Sequence, residues 1–81
     1  MNNDIDKIKA ESLSLMYRIR NLQTYICVNN NVQVDADGFP LSALEPTRRQ
    51  LGPTNSDKFD ALEKIAYDLQ EGIRGLNYLD I

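Results

Sequence analysis

The chain has 81 residues and a formal net charge of −3 from nine basic and twelve acidic side chains; 42% of it is hydrophobic, 26% charged, with one cysteine and no histidine. That is enough apolar side chain for one small ordered domain. It excludes a Cys/His zinc site, a histidine-dependent triad and an intramolecular disulfide, and the well-mixed charges offer no polybasic surface to DNA, RNA polymers or a membrane.

The polar N-terminus, MNNDIDKIKAES, lacks the apolar core of a signal peptide, and no apolar run is long enough to span a bilayer, so a cytoplasmic protein without membrane partners is expected. A first helix is predicted over 4–28, with Asn2, Asn3 or Asp4 as its cap. Ile5, Ile8, Ser12, Leu15, Ile19, Leu22 and Ile26 recur at alternating spacings of three and four, the signature of a coiled-coil-like seam. Asn29, Asn30 and Asn31 end it, because asparagine tolerates the left-handed conformation that closes helices.

The connector, predicted over 29–55, carries Val32, Val34, Phe39, Leu41, Leu44 and Leu51, which is enough apolar surface to fold back onto the helices as an ordered segment. Val32 and Val34 alternate before an Asp37-Gly38 turn signal. A short helix is expected over 46–51, with Pro46 in its first turn and Gly52-Pro53 stopping it. The last helix is predicted over 57–78, with the seam Phe59, Leu62, Ala66, Leu69, Ile73 and Leu76. Thr54, Asn55, Ser56 and Asp57 crowd its start as cap candidates. Gly72 and Gly75 weaken its final turns by about 1 kcal/mol each relative to alanine.

At the standard rise the two helices measure about 37 and 33 Å, well matched for antiparallel packing. The expected fold is all-α: one domain over 1–81, an antiparallel two-helix hairpin with a long ordered connector, forming a homo-oligomer through its surplus apolar stripe.

Asp35-Ala36-Asp37-Gly38 resembles the opening of a calcium loop, but the twelfth position falls on Pro46 instead of a bidentate glutamate. Asp57 with Asp60 has no accompanying nucleophile or base. No catalytic residue, metal or cofactor is expected. Arg48 and Arg49, followed by Thr54, Ser56 and Lys58 at a helix start, combine guanidinium forks, hydroxyls and free N–H groups into a phosphate cradle. Tyr17 and Tyr25, with Phe39, offer faces on which a base would stack. The competing explanation is structural: Ser56 or Asn55 caps the helix while the arginines are solvated or pair with Glu45.

Two family resemblances follow. Val34-Asp35-Ala36-Asp37-Gly38-Phe39-Pro40 resembles the V-D-x-x-G-[FY]-P linker of the N-terminal helical hairpin in PDZ-containing proteasome assembly chaperones, which implies a hairpin that binds proteins. Gly52, Ser56, Leu62, Glu63, Gly72 and Ile73 fall on the spacing of a second family, the helical-hairpin sponges by which phages sequester the cyclic oligonucleotide signals of CBASS immunity. The arginine that follows the glycine in that family is Pro53 here, so Arg48 or Arg49 would have to supply the charge. This resemblance implies a non-enzymatic oligomer acting in the host cytoplasm, binding cyclic di- or trinucleotides without cleaving them. The alternative, from a different class, is a protein-binding coiled-coil module: an assembly chaperone or an inhibitor of a host protein.

Overall fold

A computed structural model describes residues 2–79 as two helices, α1 (Asn2–Asn29) and α2 (Leu44–Leu76), packed against each other as an all-α hairpin of 47 × 20 × 18 Å. Asn3 and Asp4 lie inside α1 instead of capping it; the side chain of Asn2 lies outside the described residues.

The asparagine run ends α1 as its chemistry predicts. Asn31 sits at φ 60, the Asn31 N–H donates to the Val28 carbonyl (3.2 Å), and the Val32 N–H donates to the Cys27 carbonyl (2.9 Å). This is a Schellman closure, and Val32 accordingly folds back over Cys27. Both are buried in the core, with Leu51, and Ile26, Val34 and Phe59 pack around them.

The chain then makes a compact loop. The Asp35 carboxylate accepts the N–H groups of Asp37 (2.9 Å) and Phe39 (3.0 Å), while the Asp35 N–H donates to the Phe39 carbonyl (2.8 Å). Val34 and Pro40 form a single antiparallel bridge rather than a strand. Thr24 Oγ1 pins the loop to α1 by donating to the Gly38 carbonyl at 2.9 Å.

The second half differs from expectation in its boundaries. The helix expected over 46–51 and the one expected from Asp57 are a single element beginning at Leu44, bent at Gly52, which leaves a connector of 30–43 in place of 29–55. Gly52 lies at φ 81, ψ 168, a conformation open essentially to glycine. Pro53 then takes the first position of the second arm, 53–76, where its missing N–H is not needed. Thr54, Asn55 and Ser56 are therefore in the first turn of this arm, not ahead of it. The proposed cap cluster is corrected accordingly: the cap position falls on Gly52. Asn55 instead donates from Nδ2 to Asn30 Oδ1 (3.2 Å) and to the Leu51 carbonyl (3.3 Å), tying the bend to the end of α1.

The α2 seam packs as expected, with Ala66 fully buried and Phe59, Leu62, Leu69, Ile73 and Leu76 half-buried. The α1 seam packs only in part: Ile5, Ser12, Ile19 and Ile26 are half-buried, Ile26 against the core, whereas Ile8, Leu15 and Leu22 remain 48%, 48% and 53% exposed and Gln23 and Cys27 take the buried positions. The Schellman closure turns Cys27 toward Val32 and Leu51, and Gln23, one turn earlier on the same face, finds partners on α2.

Candidate functional site

Gln23 organises the interface at mid-hairpin. Its Nε2 donates to the Phe59 carbonyl and to Glu63 Oε2, both at 3.1 Å, and its Oε1 accepts from Arg20 Nη1 at 2.9 Å. Arg20 also pairs with Glu63, and its guanidinium lies 5.5 Å from the centroid of the Phe39 ring. Gln23 is buried and its amide has partners on both sides, so the group is satisfied at little cost. Burial alone would raise the pKa of Glu63, but the hydrogen bonds from Gln23 and Arg20 and the charge of Arg20 outweigh it, and the net shift is downward. A lowered carboxyl contributes stability that is fully present above its ordinary value and is lost as pH falls toward the folded-state value. In Glu63→Gln the acid limb of the stability curve, followed by chemical denaturation below the ordinary carboxyl value of 4.5, should be shallower than in the parent; identical limbs would refute this role.

Beside this network lies a groove of about 450 Å³ between the connector and α2. Phe39, Pro40, Leu44 and Phe59 supply apolar walls, and Thr47, Arg48, Asp60 and Glu63 supply the polar groups. Arg48 Nη2 pairs with Asp60 Oδ2 at 3.1 Å across the bend, so the first arm of α2 delivers the guanidinium and the second arm the carboxylate. With Glu63, whose partner Arg20 lies outside the lining, the groove holds one guanidinium and two carboxylate groups. Its volume lies within the range of small-molecule sites, roughly 300–1,000 Å³.

The residues singled out in the sequence are only partly brought together. Arg48 lines this groove; Tyr17 borders an adjoining one that shares Phe39. Tyr25 and Lys58 line a different groove, with Leu22, Ile26, Ala61 and Leu62. Arg49 and Thr54 are exposed and line neither groove, and Ser56 is buried. A cradle formed jointly by Arg48, Ser56 and Lys58 is thus not assembled. Phe39 and Asp60 enter the groove in their place, together with Thr47. Burial pushes the Cys27 thiol up, which keeps it neutral and poorly nucleophilic. Among the described residues no group of three or more Cys, Asp or Glu could hold a metal ion, and no helix is long and apolar enough to cross a membrane.

Comparison with protein-family models, curated proteins and solved structures finds no match to this chain.

Proposed function

We propose that the protein is a non-enzymatic binding protein that sequesters a cyclic di- or trinucleotide, as a phage anti-defence sponge in the host cytoplasm would. The observation that carries this reading is the groove beside Phe39, where an exposed aromatic ring, one guanidinium and two carboxylates converge on about 450 Å³. Each group has a counterpart in such a ligand. The Phe39 ring, 46% exposed, would stack a base; Arg48 would turn from Asp60 toward a phosphate; and the freed carboxylate of Asp60 would accept the N–H groups on a base edge. The exposed surface ion pair that Arg48 gives up is worth about 0–1 kcal/mol, so the exchange costs little.

Calorimetry with a panel of cyclic di- and trinucleotides should give binding to at least one member. Stacking by one aromatic is worth about 1–3 kcal/mol per base, so Phe39→Ala should weaken that binding by roughly fivefold to a hundredfold, and Arg48→Ala should also weaken it. No heat from any member would refute the nucleotide reading. Leu41 and Leu44, both exposed beside the groove, favour a second reading, the protein-binding coiled-coil module, in which the same groove takes an apolar side chain of a host protein.

A further inference from the structure

One charged contact in the groove beside Phe39 bears on the base it takes. Arg48 Nη2 stands 3.1 Å from Asp60 Oδ2, and both side chains are 42% exposed, within reach of a ligand. A guanidinium presents its N–H donors on a planar N–C–N unit. The Watson–Crick edge of guanine, N1–H, C2 and N2–H, is the same unit with its two donors side by side.

We infer that Asp60 makes this groove selective for guanine. Its two carboxylate oxygens accept N1–H and N2–H of the base stacked on Phe39, in the place that the Arg48 guanidinium takes in the ion pair. Arg48 turns to a phosphate, so one exposed ion pair is exchanged for charge-assisted contacts at both ends of the nucleotide. This assignment rests on the cyclic-nucleotide reading above and names the base.

The other polar groups of the groove leave the choice to Asp60. Glu63 accepts from Gln23 Nε2 and pairs with Arg20. Thr47 is buried and donates from Oγ1 to the Ser42 carbonyl at 3.4 Å. The Ser42 hydroxyl both donates and accepts, so it favours no base. A carboxylate only accepts. Adenine sets the N1 lone pair beside its N6–H, cytosine sets N3 beside its N4–H, and uracil flanks N3–H with two carbonyl oxygens. Each of these turns a lone pair toward the carboxylate that would accept its donor. Guanine alone of the four offers two adjacent donors.

Calorimetry on the full chain with cyclic di-GMP, cyclic di-AMP and cyclic di-IMP, whose bases lack only the 2-amino group of guanine, reads the selectivity directly. Cyclic di-GMP should bind tightest, and the other two should be weaker by roughly fivefold to a hundredfold, the range for one bidentate base contact. Asp60→Asn offers one acceptor and one donor, the complement of adenine. In this variant the helical circular dichroism should be retained, cyclic di-GMP should lose a similar factor, and cyclic di-AMP should not. Cyclic di-IMP probes the same hydrogen bond on the unaltered chain, whatever the variant does to folding. A guanine-free ligand bound as tightly as cyclic di-GMP, or a guanine preference that survives Asp60→Asn, would overturn the assignment and leave the sequestration reading standing. No heat from any cyclic di- or trinucleotide would overturn both.

Discussion

Gly38→Ala is expected to destabilise the hairpin by about 3 kcal/mol, from two causes that act together. At φ +86 any side chain is strained, and a Cβ built there would stand 2.5 Å from Thr24 Oγ1, the atom that anchors the loop to α1. The loop cannot retreat without losing that hydrogen bond and the Asp35 bonds on which its turn is built. In a domain of this size such a loss should lower the melting temperature by roughly 10–20 °C. Adding Thr24→Ala removes the collision but leaves the backbone strain and deletes the hydrogen bond to the Gly38 carbonyl, so the double variant should remain less stable than the parent. A single variant that melts within a degree or two of the parent would show that the loop is not held as described.

Gly52→Ala isolates the backbone strain. A Cβ there would meet nothing within 4 Å, yet φ is +81 and ψ 168. The expected cost is about 2 kcal/mol, all of it conformational. The chain has no easy escape into a continuous helix, because Pro53 in a helix interior would clash with the carbonyl of Arg49 and break a hydrogen bond. Urea denaturation should show the shift in midpoint. Its absence would mean that the bend is not the conformation adopted in solution.

The parts of the fold that were legible in the sequence are those set by local chemistry. The α2 seam reads correctly from Phe59 to Leu76 because a single helix face carries it. Asn31 closes α1 and Asp35 to Gly38 turn the chain because their backbone preferences are nearly independent of context. The α1 seam reads only in part, for the opposite reason. Hydrophobicity ranks Leu15 and Leu22 above Gln23, and the burial of Gln23 depends on a carbonyl and a carboxylate from Phe59 and Glu63, far away in sequence. Gly52-Pro53 reads as a stop, and it does break the helix; what no local pattern reveals is that the helix resumes at once.

That one residue-level fact also explains the scattered binding residues. Once Pro53 begins the second arm, successive side chains rotate by about 100° each. Ser56 turns inward, and Lys58 falls beside Tyr25 instead of Arg48. Phe39, Arg48 and Asp60 converge only because the bend folds the first arm over the second, a long-range event to which a sequence window is blind.

Burial along the hairpin is lopsided. Cys27, Val32, Thr47, Leu51 and Ser56 are all shielded at the connector end, Gln23 and Ala66 lie nearer the middle, and toward the chain termini the helices touch only through half-covered side chains. Gly72 and Gly75 add about 1 kcal/mol each to the cost of helix in that distal region. Local opening should therefore begin at the free ends and halt near Gln23, so that the hairpin unzips partway as a low-energy excitation while its closed end stays protected. The bend at Gly52 and the loop at Gly38 sit inside the protected part, so the candidate groove keeps its shape through excursions that transiently separate the distal turns.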